Sequence, residues 1–173
     1  TPKAGFNPQF TADGSEVVYR TSIKEDGVAR EDVKRYSFVS KNKTQLMKHT
    51  KDVVNTPALV ADTYAYGFVD KQAIEVSVNG VKHEINPIGY GYRYLWPSIS
   101  PNAEKIVFNE VYSGLFVSNL DGSQAKFLAS RGDFPCWVSD KFVVAISTED
   151  DGYVITSAKI IAIEVATGKV TTL

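Results

Sequence analysis

Catalysis and metal binding need particular side chains at particular spacings, and this sequence offers few of them. One cysteine, Cys136, and two histidines, His49 and His83, are its whole supply of thiol and imidazole groups. Cys136 sits inside the apolar stretch "FPCWV", where a buried, unreactive thiol is expected. His49 and His83 lie at different distances from the turns that precede them, so no two-histidine metal site and no His-based triad is expected. The chain has no Gly-x-Ser-x-Gly elbow, phosphate-binding loop, dinucleotide fingerprint or Cys-x-x-Cys pair. The expectation is therefore no catalytic residue, no metal site and no cofactor. Glu149, Asp150 and Asp151 adjoin a glycine in "STEDDGYV". Clustered carboxylates can hold Ca²⁺, but the alternating Asp-x-Asp spacing of a dedicated loop is missing, and a solvated hairpin tip is the reading. "SIKEDGVARED", 22–32, reads as a mobile, mixed-charge surface hairpin that lengthens its neighbourhood.

The stretch with most recognition chemistry is "GYGYRYLW", 89–96. Extended backbone would project Tyr90, Tyr92, Tyr94 and Trp96 to one side and Arg93 to the other. Such a row is either an aromatic platform for a peptide or glycan, with Arg93 beside it, or packing between neighbouring structural units. Both readings stand at the level of sequence.

The elements that must position these residues follow from a repeat. Pro8, Pro57, Pro97 and Pro135 are separated by 49, 40 and 38 residues, and each has a hydrophobic residue two positions on: Phe10, Leu59, Ile99 and Trp137. After each comes a polar or small stretch and then an apolar run, "VVY", "YAYGF", "IVF" or "FVVAI". A third run follows ("RYSFV", "AIEVSV", "LFVSNL", "IIAIEV"), then a turn ("SKNK", "VNGV", "LDGS", "ATGK") and a short fourth run. Asn-Gly, Asp-Gly and Thr-Gly supply the positive φ that tight hairpins require. Alternation such as Ile74-Glu75-Val76-Ser77-Val78 has the strand period of two, and no stretch has a helical period. Four strands in roughly 40 residues is the pattern of a propeller blade. The expected fold is all-β: about four blades of four antiparallel strands, at approximately 6–52, 53–93, 94–132 and 133–173, forming one domain over 1–173. No spare strand is available as a clasp, so these four blades are expected to be part of a larger ring, or to pair with a second chain.

The wording of the repeat resembles a known family. "PSISPNAEKIVF…GLFVSNLDGSQAKFL" is similar to the "P-S-x-S-P-D-G-x-x-I-A-F … I-Y-x-x-x-L-D-G" repeat of TolB-like β-propellers. The match is closest over 96–128, good over 7–19, recognisable over 134–172 and weak over 55–86. The family's Asp-Gly turn is kept at Asp13-Gly14, becomes Asn102-Ala103 in the third unit, and is shortened in the second and fourth. The repeat is structural and specifies blades rather than chemistry.

Composition bounds the rest. With 43% hydrophobic and 23% charged residues the chain is globular rather than disordered. A net charge of −1 gives no global positive field, so nucleic acid and anionic membrane surfaces are not expected as partners. No apolar run approaches the roughly 18 residues that span a bilayer. A chain without an initiator Met or signal peptide is expected to be a mature or trimmed product. The resemblance implies a non-enzymatic module that binds a protein or peptide in the bacterial cell envelope, at a periplasmic or otherwise extracytoplasmic place. Two alternatives accompany it: a gating propeller ahead of a prolyl-oligopeptidase-type catalytic domain outside this chain, and a propeller binding a carbohydrate or small ligand. Self-association, or a second chain completing the ring, is the remaining partner expectation.

Overall fold

The computed structural model describes residues 5–11, 13–50, 59–68 and 71–173, with the backbone alone at 49 and 50. Among the described residues there are fifteen β-strands and no helix. The first sheet holds β1 (Gly5–Phe10), β2 (Glu16–Glu25), β3 (Val28–Ser37) and β4 (Lys43–Thr50), in that order. The second holds β5 (Thr63–Phe68), β6 (Ala73–Val78) and β7 (Val81–Ile85). The third holds β8 (Tyr94–Ile99), β9 (Lys105–Glu110), β10 (Gly114–Asn119) and β11 (Lys126–Ala129). The fourth holds β12 (Asp133–Ser139), β13 (Phe142–Asp150), β14 (Ile155–Glu164) and β15 (Val170–Thr172). Every pairing is antiparallel between consecutive strands. The sheets are the blades of a β-propeller. The extra strand expected around Pro57 falls outside the described residues.

The turns have the chemistry that the sequence prescribes. Asn79 and Gly80 take φ of 50° and 81°, the pair of positive values that a two-residue hairpin needs. Asp26 and Gly27 do the same at 50° and 80°, so the charged 22–32 stretch is a regular hairpin, paired without interruption from Glu16↔Ser37 to Glu25↔Val28. Asp13, Asp121 and Asp151 each accept backbone N–H bonds inside their own turns.

The strand period decides how the blades pack. In β9, Ile106 and Phe108 face the second sheet, where they meet Ala65, Ile74 and Val76 in one core cluster. The alternate Val107, with Leu115 and Val117 beside it, faces the fourth sheet and meets Trp137, Val143, Ala145, Ile161 and Ile163. Tyr64, Tyr66 and Phe68 of β5 pack against Val18 and Val33 of the first sheet. Each interface thus sets one face of a blade against the opposite face of the blade before it, and fully burying each large apolar side chain contributes about 1.5–3 kcal/mol. Polar bonds stitch the same interfaces: the Trp137 indole N–H donates to Ser98 O at 2.9 Å, and Lys126 Nζ donates to Ala166 O at 2.6 Å. Arg35 pairs with Asp62 at 2.7 Å between the first and second sheets. The substantial strand contacts between sheets are those of β5 and β6 with β8 and of β12 with β8 and β9. No comparable contact joins the first sheet to the last among the described residues.

One expectation fails here. Cys136 is exposed rather than buried. Its neighbour Trp137 takes the inward position, and strand alternation turns Cys136 to the other side of β12, opposite Val144.

Candidate functional site

Antiparallel blades present two unlike rims. One carries the turns between first and second strands and between third and fourth strands. These are mostly short and polar: Asp13-Gly14, Asn79-Gly80, Asn102-Ala103, Asp121-Gly122 and Thr167-Gly168, with Phe38 and Val39 as apolar exceptions. The other rim carries the turns between second and third strands and the connections from one blade to the next. Here Tyr90, Tyr112 and Tyr153 stand 89%, 83% and 96% exposed, and Tyr92 and Phe134 are also exposed.

The stretch 89–96 does not form a row of aromatics on one side. Residues 90 and 91 are in a turn, and β8 starts only at Tyr94. Tyr90 stands in solvent. Tyr92 is exposed, with its ring beside Gly89, which turns the chain at φ 111°. Arg93 is exposed, with no ion pair among the described residues. Tyr94 is fully buried, edge-on to Phe108 with ring centroids 5.4 Å apart. Its hydroxyl donates to Gly89 O at 2.7 Å and accepts from Ile88 N at 3.3 Å, which ties the connection down onto the core. Burial raises the Tyr94 pKa and keeps the phenol protonated.

Trp96 departs from the row for a different reason. Its φ is 48°, and the β8–β9 register shifts between Leu95 and Ser98. This bulge turns the indole away from the side taken by Tyr94. It meets Phe134 of the fourth sheet instead, at 4.2 Å between ring centroids. Phe134 has the same geometry: φ 51°, a following proline, and a register shift between Asp133 and Cys136. Asn7, before Pro8, repeats it at φ 48° with a shift between Phe6 and Gln9.

Trp96 and its surroundings enclose a cleft of about 290 Å³ between the third and fourth blades. Leu95, Trp96 and Tyr112 supply apolar wall, while Asn109, Arg131, Asp133 and Asp150 supply polar groups. Arg131 is held by donating to Thr148 O at 2.8 Å, and Asn109 by donating to Gly132 O at 2.7 Å. Under the rim lies Glu110, 1% exposed. One of its carboxylate oxygens accepts from Arg93 N at 3.4 Å, and the other accepts from Tyr112 N at 3.2 Å and Ser113 N at 2.9 Å. A buried charge is tolerable when its hydrogen bonds are met, and these three N–H groups fix the loop that displays Tyr112.

Glu110, Tyr112, Arg131, Asp133, Phe134 and Tyr153 were not singled out by sequence. A tyrosine at a hairpin tip, as in "EVYSG" and "DDGYV", departs from the Gly/Asn/Asp chemistry of the other turns, and that departure is the signal available in the chain itself. The acidic turn is a solvated tip: Asp151 accepts from Tyr153 N and Val154 N at 2.9 Å, and Asp150 from Gly152 N at 2.9 Å. Among the described residues no group of His, Cys, Asp and Glu is arranged to hold a metal ion. His83 is exposed, with Nε2 3.3 Å from Leu120 O, and the His49 side chain lies outside the described residues. No helix among the described residues is long and apolar enough to cross a membrane.

No sequence family and no curated protein sequence matches the chain. Solved structures do. TolB from Acinetobacter baumannii superposes over 99% of this chain with a TM-score of 0.72 at 12% identity. A putative TolB from Agrobacterium tumefaciens does so over 99%, at 0.66 and 16% identity, and the tricorn protease over 97%, at 0.69 and 11%. This chain spans 43%, 81% and 22% of those three proteins, less than half of two of them. At such identities the likeness is one of architecture, and it agrees with the sheets and the repeat: the chain has the β-propeller fold seen in TolB and related propeller proteins.

Proposed function

We propose that this protein is a non-enzymatic binding module whose aromatic rim docks an extended segment of a protein or peptide. The observation that carries this reading is the segregation of exposed tyrosines, together with the Trp96–Phe134 pair, to the rim opposite the polar turns. Tyrosine and tryptophan supply large contact area at small entropic cost and are enriched where proteins bind. The cleft suits a side chain rather than a whole small molecule, because its volume lies at the lower limit of ligand pockets. Arg131, Asp133 and Asp150 in its lining offer partners to a segment carrying both signs of charge. Blades packed through continuous cores hold these groups rigidly, so little ordering free energy is lost on binding. By its likeness to TolB we place the module outside the bacterial cytoplasm, in the cell envelope.

The test is a displayed random-peptide selection against the chain, followed by titration calorimetry of the selected peptides. Tyr112→Ala, Tyr153→Ala and Trp96→Ala are expected to weaken binding about tenfold or more each. Melting temperatures of the two tyrosine variants should stay within about 1–2 °C of the parent, since these rings touch solvent. Peptides that bind all three variants as tightly as the parent, or a selection yielding no saturable binder, would overturn the reading.

A further inference from the structure

The cleft between the third and fourth blades is acidic on balance and has an indole in its wall. Its lining holds one cation, Arg131, and two carboxylates, Asp133 and Asp150, and the buried Glu110 carboxylate lies beneath. Glu110 has its three N–H donors. Asp133 is half-buried and shares the cleft with Trp96, yet it has no hydrogen bond to its carboxylate and no ion pair among the described residues. The cation two residues away does not serve it, because the Arg131 guanidinium turns to β13 and donates to Thr148 O at 2.8 Å. Asp150 uses one carboxylate oxygen on Gly152 N. Arg93 is exposed and stands outside the lining.

The strand that receives Arg131 has a bare edge. β12 makes its last pairing with β13 at Asp133↔Ile146, while β13 runs on to Asp150. Over Ser147–Asp150 its partner among the described residues is β14 alone. Thr148 and Asp150, both on this stretch, line the cleft. The main-chain groups of an uncovered edge suit the main chain of another extended segment.

We propose that the anchor of the docked segment is an arginine, whose guanidinium enters this cleft, pairs with Asp133 and lies against the Trp96 indole while its main chain follows the β13 edge. The proposal rests on the rim being a peptide-docking surface, and it names the side chain that the surface selects. A guanidinium is planar, gives a carboxylate two parallel N–H bonds, stacks on aromatic faces and sheds water more readily than an ammonium group. Among aromatic side chains, tryptophan attracts a cation most strongly. A cleft of about 290 Å³ has room for one such side chain. An acidic side chain there would meet Asp133, Asp150 and Glu110, and an apolar one would strip water from Asp133 without replacing it, so both are rejected.

Proton–nitrogen NMR tests this through the two tryptophans of the chain. The Trp137 indole N–H, bonded to Ser98 O, is the internal reference. At fixed ionic strength, N-acetyl-arginine methylamide should shift the Trp96 indole signal saturably, with half-saturation at about 1–20 mM, and leave Trp137 in place. The uncharged isostere N-acetyl-citrulline methylamide should bind at least about fivefold more weakly. Asp133→Asn should weaken binding of the arginine compound by a similar factor at an unchanged melting temperature. An unmoved Trp96 signal, equal binding of the arginine and citrulline compounds, or an Asp133→Asn variant that binds like the parent overturns the proposal. The citrulline comparison needs no variant and decides the matter should Asp133→Asn be unstable. Selected peptides that need Tyr112 and Tyr153 but bind Asp133→Asn as tightly as the parent overturn only the arginine anchor and leave the rim as a docking surface. A selection without a saturable binder overturns both.

Discussion

Asp13 shows how much a single turn residue does. Its Oδ1 accepts from the Thr11 hydroxyl at 2.6 Å, from Ser15 N at 3.0 Å and from the Ser15 hydroxyl at 2.9 Å. These bonds, that from Thr11 first, lower its pKa from 3.8 to about 2. A carboxylate with a depressed native pKa stabilises the fold fully above pH 3.8, and that contribution is lost as pH falls from there toward 2. Melting curves of the parent and of Asp13→Asn should therefore differ at pH 5 and converge by about pH 2. Glu110 is the buried counterpart. Glu110→Gln leaves one acceptor oxygen for three N–H donors and aims an amide donor at some of them, which should cost about 1–3 kcal/mol. The loss should appear as a lower melting temperature and faster amide exchange at Tyr112 and Ser113, with weaker peptide binding if Tyr112 is a contact.

At the scale of elements, the repeated prolines mark more than spacing. Pro8, Pro97 and Pro135 each follow a residue of positive φ at a bulge in the first strand of a blade. In the third blade the bulge breaks the alternation of side chains and hands the Trp96 ring to Phe134 of the next blade. Gly114 begins the third strand of its blade at φ 105°, and a Cβ there would collide with the carbonyl oxygen of Ala129 on β11. Gly114→Ala should cost more than the roughly 1 kcal/mol of the backbone conformation alone, because the β10–β11 ladder must move apart to admit the methyl group. Chemical denaturation should give a lower midpoint with the m-value kept if the change stays local.

At the scale of the whole molecule, stability resides in three interfaces between blades rather than in one central core. Leu115→Ala opens a cavity at the interface of the third and fourth blades and should cost about 2–5 kcal/mol, lowering the melting temperature by more than about 5 °C. At the first two interfaces the later blade brings aromatics (Tyr64, Tyr66 and Phe68, then Tyr94 and Phe108) against mainly aliphatic residues of the blade before it, and at the third Trp137 does so alone. The fold was legible in the sequence because each blade is local: hairpin turns rest on Asn-Gly, Asp-Gly and Thr-Gly steps, and strands on a period of two, all read within about 40 residues. The candidate site was legible only in part. The tyrosine-rich stretch was visible, but an alternation rule cannot foresee a bulge, so it assigned Tyr94 and Trp96 to one side when Tyr94 fills a core and Trp96 reaches a neighbouring blade. The same limit hid the exposure of Cys136, since which side of β12 faces inward is set by the blade it packs on. The sequence alone determined strands, turns and their repetition, because these depend on neighbours in the chain. Only tertiary packing decided which rings are buried and which rim collects the tyrosines, because each of these depends on residues about 20 to 40 positions away, brought close by the stacking of blades.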